Sequence, residues 1–456
     1  MTIAPETFKA YDIRGLYPQQ IDEAGAHELG RAFAGLVTAA IGPAAAPRIA
    51  VGHDVRLSSP SIADAFCAGA MQGGARVTEL GLCATEMVYF AVADGNYDGG
   101  AQITASHNPP QYTGAKLVLA GALPLSGDTG ISELGRRIAS GDLIDRPGGT
   151  RTADPGILDR FLIAALGFVD PERISGLRVV FDGANGMAGL FLRPVIAQLD
   201  IDAVECFLDP DGRFPHHEPN PLLPENRAFI EAKVVEEHAD LGIAFDGDAD
   251  RCFFIDDRGE FVPGDFLTAL LATHLLARTG PADVIYDLRA SWAVREAITN
   301  AGGRAHEYRV GHAFIKRGMR ELDAVFAGEV SGHYYFRDFS YADSGLIPAL
   351  LVLEMLSNLK VPLSSLIDEY RSRFHISGEI NSTVADAAHV MATLRERYAD
   401  GVQREVDGLS VDYADWHFNV RSSNTEPLVR LNLESLVSDA DMQARRDEVL
   451  AIIRDN

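Results

Sequence analysis

Residues 177–186 read LRVVFDGANG, a short apolar run that ends at an aspartate and a glycine-rich turn. The run predicts a buried β-strand, and the glycines predict a turn that leads into a helix. The same order continues with a helix to about residue 198, a strand near 203–207, a helix near 226–238 and a strand at 241–245. Strands that alternate with helices indicate an α/β domain whose parallel sheet is covered on both faces.

Two further rounds of this pattern flank the first, each about 100–120 residues long. Upstream, the apolar run RIAVGHD (48–54) precedes a helix with Pro60 near its start. Downstream, a helix after GEFVPGD (259–265) precedes the strand-like run DVIYDL (283–288). The sequence therefore predicts three related α/β domains.

The tail from about residue 375 has a different pattern. Four strand-like runs, GEINSTV, VDGLSVDYAD, WHFNVRSS and LVRLNLE, precede a final helix. This order predicts a smaller C-terminal α+β domain. The predicted domains are 1–152, 153–257, 258–370 and 371–456.

Composition narrows the possible partners. The chain has 456 residues, with 40 lysines and arginines against 65 aspartates and glutamates, which gives a net charge of −25. Such a surface repels nucleic acid and anionic lipid, so we expect neither as a partner. A phosphorylated substrate would need a local basic cluster within this acidic surface. The sequence does not indicate the oligomeric state.

The expected location is the cytoplasm. No apolar run approaches the ~20 residues of a membrane span. The first residues, MTIAPETFKAYDIRG, lack the basic and apolar regions of a signal peptide. The widely spaced cysteines argue against a disulfide scaffold or structural zinc site and predict buried free thiols at Cys67, Cys83, Cys206 and Cys252.

Asp246, Asp248 and Asp250 alternate in FDGDADR (245–251), between two apolar runs. In an extended loop, alternate residues point the same way, so these carboxylates can converge on one hard cation. Oxygen ligands favour magnesium over zinc. An EF-hand would need glycine where Arg251 stands and helices on both sides, and a solvated acidic turn is the other alternative.

Ser106 lies in TASHNPP (104–110), directly after the apolar run GGAQI. Pro109 and Pro110 exclude a helix and favour an extended conformation at Asn108. Ser106 is therefore expected on a rigid exposed loop at a strand's carboxyl end, where ligands of open α/β sheets bind. Its hydroxyl could carry a phosphoryl group that offers the metal a fourth oxygen. An ordinary serine turn remains an alternative, whereas a Ser-His hydrolase would lack its GxSxG elbow.

Glu329, Ser331 and His333 alternate in AGEVSGHYYF (327–336). Alternate polar groups on one loop could bind the hydroxyls of a sugar. A polar strand end without a ligand is the alternative interpretation.

The stretch VRSSNTEPLVR (420–430) gathers a guanidinium, hydroxyls and an amide in one loop. These groups form a candidate cradle for a dianionic phosphate, and a polar turn is the alternative. Two shorter motifs, YDIRG (11–15) and VGHAFIKR (310–317), carry little information on their own.

Taken in order, YDIRG, TASHNPP, FDGDADR, GEVSGH and RSSNTEP resemble the α-D-phosphohexomutase family from one end of the chain to the other. The resemblance implies three related α/β domains with mixed sheets and a smaller C-terminal α+β domain around a central cleft. This division agrees with the strand and helix pattern.

By this resemblance, Ser106 is the serine that is carried as phosphoserine. Asp246, Asp248 and Asp250 match the ligands of one Mg²⁺ per chain, and the phosphoserine joins them. The domains 1–152 and 153–257 would thus supply the phosphoserine loop and the metal loop.

The resemblance also assigns the remaining site residues. Glu329 and Ser331 match residues that hold the sugar 3- and 4-hydroxyls, with His333 beside them. Proton transfer is expected from Lys116 or His333, with Arg14 a further candidate. The other matched or neighbouring positions are, at the reaction centre, Tyr11, Arg251 and His312, and, at the phosphates, His107, Arg421, Ser423, Asn424, Thr425 and Arg430.

The implied activity interconverts hexose 6-phosphate and hexose 1-phosphate through a hexose 1,6-bisphosphate, which also serves as activator. Val330 in GEVSGH resembles the phosphomannomutase/phosphoglucomutase loop more than that of phosphoglucosamine mutase, the alternative. Arg289 stands where many members carry a lysine, and Gln111 replaces a common acidic residue. Both departures leave the sugar preference open, and a magnesium phosphatase and a non-catalytic sensor are the more distant alternatives.

Overall fold

The structure is a computed structural model that describes residues 3–42, 44–422 and 428–455. Within those ranges, the strands form four sheets that follow one another along the chain. Each of the first three sheets is packed with helices, and the fourth is built from the C-terminal tail. The predicted fold class, three α/β units followed by an α+β unit, is confirmed.

The first sheet has the order β1-β5-β4-β2-β3-β7, with β6 paired to β5. Antiparallel pairing of β4 with β5 places Lys116 opposite Gln102, at the same edge of the sheet as the loop that follows β4. The elements of this unit are β1 Ile13–Leu16, α1 Glu23–Ile41, β2 Arg48–His53, α2 Ser59–Gln72, β3 Arg76–Leu82, α3 Thr85–Asp94, β4 Gly99–Ile103, β5 Tyr112–Leu119, β6 Leu123–Pro124, α4 Ile131–Ser140 and β7 Thr150–Ala153.

The second sheet has the order β12-β11-β10-β8-β9. Its central strand β10 is buried along its whole length and leads directly into the aspartate-rich loop. The elements are α5 Ile157–Leu166, β8 Ser175–Asp182, α6 Gly189–Ile196, β9 Asp200–Cys206, α7 Pro224–Glu237, β10 Leu241–Phe245, β11 Cys252–Asp256 and β12 Phe261–Val262.

The third sheet has the order β14-β13-β15-β16-β17. The loop between β15 and β16 carries the predicted sugar-binding residues. The elements are α8 Gly264–Thr279, β13 Asp283–Asp287, α9 Trp292–Asn300, β14 Arg304–Tyr308, α10 His312–Leu322, β15 Phe326–Gly328, β16 Tyr334–Phe336, β17 Ala342–Asp343, α11 Leu346–Leu359 and α12 Leu363–Arg371.

The fourth sheet is antiparallel, in the order β18-β23-β22-β21-β20 with β19 paired to β23. Side chains cap its two helices, since Asp386 accepts from His389 N and Ser438 accepts from Asp441 N. The elements are β18 His375–Ile376, β19 Ile380–Thr383, α13 Ala387–Arg397, β20 Val402–Arg404, β21 Leu409–Asp412, β22 Trp416–Ser422, β23 Leu428–Ser435 and α14 Asp439–Arg454.

The first three sheets are mixed rather than purely parallel. In the second sheet, β10 pairs in parallel with β8 but antiparallel with β11, because a short loop joins β10 to β11 directly. The third sheet repeats this with β15 and β16. The prediction of purely parallel sheets from strand–helix alternation is therefore wrong at one edge of each sheet. The mixed sheets implied by the resemblance are confirmed.

One hydrophobic core extends through several units, whereas another is confined to the fourth unit. One apolar cluster runs through the first three units, from Ala50 through Phe161 and Val284 to Phe374. A separate cluster, from Val384 to Ile453, lies within the fourth unit. The fourth unit therefore holds its own core, a feature of domains that can shift as a body.

Two further features concern the cysteines and the apolar helices. The four cysteines are buried and form no disulfide, as predicted. In the described part of the chain, no single helix is long and apolar enough to cross a bilayer, although α11 and α12, bent by 101° to each other, pass that test together by length and composition.

Candidate active site

Three loops from three sheets meet at the carboxyl ends of β4, β10 and β15. Ser106 Oγ, after β4, lies 3.3 Å from Asp246 Oδ2, after β10. His333 Nδ1, after β15, lies 3.9 Å from Asp250 Oδ1. This is the edge at which open α/β sheets bind ligands. The packing of the three units therefore assembles one site from residues far apart in sequence.

The three aspartates of FDGDADR are buried, and their carboxylates converge. One oxygen from each of Asp246, Asp248 and Asp250 lies within 4.8 Å of the others. The carboxylates converge as predicted, but the loop that carries them is not extended, contrary to the prediction. The segment is a turn in which Ala249 has a left-handed backbone, with φ of 61°, and this bend brings the carboxylates together.

These residues fit a magnesium ion. Oδ1 of Asp248 and Oδ1 of Asp250 are buried, and neither has a hydrogen-bond partner among the described residues. Unpartnered buried carboxylate oxygens are costly unless a cation satisfies them. An all-oxygen donor set of this kind suits Mg²⁺.

Lys116 lies beside the aspartates. Its Nζ is 2.6 Å from Oδ2 of Asp248 and 2.6 Å from Oδ2 of Asp250. Burial acts to raise the pKa of Asp248, but the neighbouring ammonium of Lys116 outweighs it, and the pKa lies well below its usual range. Thr85, at the start of α3, also donates to Asp248 at 2.5 Å. The first unit thus supplies both a cation and a hydroxyl to the aspartate loop of the second.

Ser106 is buried, with 3% of its surface exposed, so the expected exposed loop is wrong. The aspartate loop of the second unit covers it. Ser106 Oγ lies 3.2 Å from Nδ1 of His107, and Arg251 donates to the same nitrogen. Burial, and then the charge of Arg251, hold the pKa of His107 well below its usual range. Arg251 also donates twice to Asp246, at 2.8 and 2.9 Å.

The N-terminal motif YDIRG reaches two other parts of the site. Arg14 donates to Asp12 at 2.7 Å and to the side-chain oxygen of Asn108 at 2.5 Å. The hydroxyl of Tyr11 donates to the carbonyl oxygen of Val310 at 3.3 Å. The segment YDIRG therefore links the serine loop to the third unit.

His333 is half-buried beside a buried ion pair, Lys316 and Asp343. Its Nδ1 lies 2.9 Å from Oδ2 of Asp343, and Nζ of Lys316 lies 2.6 Å from Oδ1 of the same carboxylate. Lys316 also lies 3.7 Å from the centre of the Tyr89 ring. The His312 ring is 6.2 Å from that of His333. Asp343 gives no local signal, because it ends a short strand in YADSG, a segment without a recognisable motif.

The predicted sugar-binding residues lie around Arg289. This guanidinium donates to Asp287 at 2.8 and 2.9 Å and to Ser331 Oγ at 3.4 Å. Its Nη2 lies 3.7 Å from Oε2 of Glu329, and Oε1 of Glu329 accepts a short hydrogen bond from the hydroxyl of Tyr335. Glu329 and Ser331 are thus close together, with a fixed cation between them.

The fourth unit contributes a cationic group around Glu379. Arg421 donates to this carboxylate at 2.9 Å and Arg289 donates to it at 3.3 Å, while Arg430 Nε lies 3.9 Å away. Glu379 was not among the predicted site residues, and only its place beside arginines from two units reveals it. Three predicted phosphate-loop residues lie outside the described residues, namely Ser423, Asn424 and Thr425.

Four family descriptions match the chain in order. They are the phosphoglucomutase/phosphomannomutase alpha/beta/alpha domains I, II and III and the C-terminal domain, which match residues 5–144, 160–259, 263–374 and 379–452.

Similar proteins extend over the same length. A phosphomannomutase of Salmonella typhimurium is 40% identical over 456 residues, with 98% of each chain covered. A protein of Xanthomonas campestris described as phosphohexose mutases is 42% identical over 452 residues, covering 98% of this chain and 99% of the relative. A crystal structure of a phosphoglucomutase/phosphomannomutase family protein from Burkholderia thailandensis has a TM-score of 0.90 at 32% identity, covering 99% of this chain and 97% of the other. The chain belongs to the phosphoglucomutase/phosphomannomutase family, and the predicted family and mutase class are confirmed.

Proposed function

We propose that this protein interconverts hexose 6-phosphate and hexose 1-phosphate, with mannose or glucose or both as the sugar. Ser106 carries the phosphoryl group, and a hexose 1,6-bisphosphate is the intermediate. The observation that supports this most directly is the contact of Ser106 Oγ with the aspartate triad, 3.3 Å from Asp246. The phosphomannomutases among the relatives support mannose as one substrate.

One Mg²⁺ per chain would be held by Asp246, Asp248 and Asp250, together with an oxygen of phosphorylated Ser106. When bound, the ion supplies positive charge close to the transferring phosphoryl group. The chain adds its own positive charge with Lys116, which is fixed 2.6 Å from two of the aspartates. Fixed cations near a developing charge lower the barrier because they need no reorganisation during the reaction.

In the first transfer, the bond between phosphorus and Ser106 Oγ breaks, and a bond forms from phosphorus to the free sugar hydroxyl. The hydroxyl proton passes to a base of the protein. We assign this role to His333, because its Nδ1 faces the Asp343 carboxylate at 2.9 Å and leaves Nε2 for the substrate. Lys116 and Arg14 then act through their charge.

In the second transfer, the bond between the other phosphorus and its sugar oxygen breaks, a bond from that phosphorus to Ser106 Oγ forms, and the base gives its proton to the sugar oxygen. The bisphosphate must turn over first, so the residues that hold its distant phosphate must accept either end. Arg421 and the neighbouring Ser423, Asn424 and Thr425 are assigned to this phosphate, with Arg430 beside them. The separate core of the fourth unit suits a domain that opens for the turn and closes for transfer. Closure also keeps water away from the phosphoserine.

Glu329 and Ser331 would hold two sugar hydroxyls, with Arg289 beside them as a further substrate-binding residue. His312, Tyr11, Arg251 and His107 would line the reaction centre and its phosphate. A free hexose 1,6-bisphosphate would restore the phosphoserine and so act as activator. The division into 1–152, 153–257, 258–370 and 371–456 and the cytoplasmic location remain predictions.

The test uses three substrates with magnesium and trace glucose 1,6-bisphosphate, namely mannose 1-phosphate, glucose 1-phosphate and glucosamine 1-phosphate. We expect conversion of the first or second to the 6-phosphate. Ser106→Ala should lose about 10³-fold or more of kcat and show no phosphorylated form by intact mass, while the exposed Ser61→Ala serves as control. A preference for glucosamine 1-phosphate would establish the alternative mutase, and sustained release of inorganic phosphate would indicate a phosphatase. Binding without turnover of any sugar would contradict the proposal.

A further inference from the structure

Ser106 has a backbone conformation that needs support. Its φ of 52° lies in the left-handed region, which residues with a side chain rarely adopt. Such conformations persist where the surrounding structure holds them in place, and they occur often at functional sites.

Arg56 is the residue in contact with the loop. Its side chain is fully buried, with no exposed surface. Nη2 donates to the carbonyl oxygens of Ser106 at 2.8 Å and Asn108 at 2.6 Å. Nη1 donates to those of Pro109 at 2.7 Å and Tyr112 at 3.3 Å. A single guanidinium thus binds three carbonyl oxygens of the loop that carries Ser106 and a fourth at the first residue of β5.

Asp54 connects Arg56 to the backbone N–H of Ser106. Its Oδ2 accepts from Nε of Arg56 at 3.0 Å and from the hydroxyl of Thr104 at 2.7 Å. The hydroxyl oxygen of Thr104 accepts in turn from the backbone N–H of Ser106 at 2.8 Å. The C=O of Ser106 therefore accepts directly from Arg56, and its N–H is linked to Asp54 through the hydroxyl of Thr104.

The second unit closes over the same arginine. The Phe214 ring centre lies 5.2 Å from the guanidinium carbon of Arg56. Gly212 lies so close that an added Cβ would be 2.7 Å from Cα of Arg56. A Cβ on Gly247, in the metal loop, would be 2.5 Å from the carbonyl oxygen of Ser106. Arg56 is thus held between the serine loop and the unit that carries the aspartates.

We propose that Arg56 is a positioning residue that fixes the direction of Ser106 Oγ toward the aspartate triad. This inference rests on the proposed role of Ser106 as phosphoryl carrier. A planar guanidinium can donate to four acceptors and to Asp54 at once, whereas the ammonium of a lysine has three donors on a flexible stem. Misplacement of a reacting group by about 1 Å can cost about 10²-fold in rate.

The experiment compares Arg56→Lys and Arg56→Met with Arg320→Met in the full-length protein. Arg320 is the matched control, because it also donates to three carbonyl oxygens, those of Lys316, Gly121 and Ser340, without contacting the serine loop. We expect both Arg56 variants to lose about 10²-fold in kcat while KM changes less than about threefold. Phosphorylation of Ser106 by glucose 1,6-bisphosphate, followed by quenched intact mass, should slow by the same factor. Arg320→Met should lower Tm but keep kcat.

Thr104→Val provides a second, nearly isosteric variant if the Arg56 variants do not fold. It removes only the hydroxyl between Ser106 N–H and Asp54, and we expect about tenfold lower kcat with KM unchanged. A folded Arg56→Lys variant with wild-type kcat and wild-type phosphorylation rate would overturn the inference, as would wild-type kcat in Thr104→Val. If wild-type protein is not phosphorylated on Ser106, the proposed function fails instead, and the comparison separates the two cases.

Discussion

Oε2 of Glu379 accepts a hydrogen bond from Nη2 of Arg421 at 2.9 Å, within the fourth unit. The same oxygen lies 3.3 Å from Nη1 of Arg289, which belongs to the third unit. Burial acts to raise the pKa of Glu379, but the charges of Arg289 and Arg421 outweigh it and lower the pKa to about 2. At neutral pH a carboxylate therefore sits among the cations assigned to the substrate's phosphate.

Glu379→Gln should strengthen anion binding, because it removes the negative charge that competes with phosphate for Arg421. We expect the Kd for inorganic phosphate to fall by about 3–10-fold at low ionic strength, with less effect in high salt. Calorimetric titration measures it. Glu405→Gln, at an exposed pair with Arg395, is the control. Equal or weaker phosphate binding by Glu379→Gln would contradict the competition.

Asp248→Asn should impair magnesium binding directly. The change removes the carboxylate whose Oδ1 has no partner among the described residues. We expect kcat to fall by about 10²-fold or more and the heat of Mg²⁺ binding to disappear in calorimetry. Asp202→Asn, at an exposed pair with Arg178, should behave as wild type. Full wild-type activity in the presence of a chelator would show that the triad holds no essential metal.

His333 and Asp343 should act as one unit, because their facing atoms are 2.9 Å apart. His333→Ala is expected to lower kcat by about 10²–10⁴-fold without loss of fold. Asp343→Asn should cost less, and the double variant should be no slower than His333→Ala alone. Steady-state kinetics and circular dichroism provide the measurements. Fully additive losses would mean that Asp343 does not work through His333.

His217 should make stability depend on pH. Its Nε2 lies 3.0 Å from Oδ2 of Asp182, and its Nδ1 lies 3.0 Å from the carbonyl oxygen of Glu218. Burial acts to lower the pKa of His217, but the hydrogen bond and charge of Asp182 outweigh it, so the pKa is raised. A raised pKa stabilises the folded protein fully below about pH 6.5, and this stability is lost as pH rises through the folded-state pKa.

The test compares wild type with His217→Gln by thermal unfolding. We expect the Tm of wild type to exceed that of the variant by more at pH 6 than at pH 9, with a change of about 1–3 °C between the two. In an Asp182→Asn background this change should disappear. A difference in Tm that is constant across the pH range, or larger at pH 9, would refute the assignment.

Local pattern was sufficient for the α/β units. The run RIAVGHD became β2, and the helix expected after it became α2, with Pro60 in its first turn. Burial of an apolar strand and the conformational limits of proline act within a few residues, so they can be read from sequence. The antiparallel edges of the sheets could not be predicted from the sequence, because strand direction depends on how β10 and β15 connect to their neighbours.

The buried position of Ser106 was outside the reach of local pattern for a similar reason. Two prolines beside it indicate a rigid loop, but the cover comes from Gly247 and its neighbours in another unit. The roles assigned to Ser106 and the other site residues stay predictions until the variants are measured.

The order of the amino acids is enough to identify the chemical groups of the protein: a serine on a proline-rigid loop, three alternating carboxylates and a cationic loop near the end. Which of these groups act together depends on the packing of the units. Lys116 meets Asp248 across 132 positions, and Arg56 meets Ser106 across 50. Such pairs depend on the packing of whole sheets, and no local spacing encodes that packing.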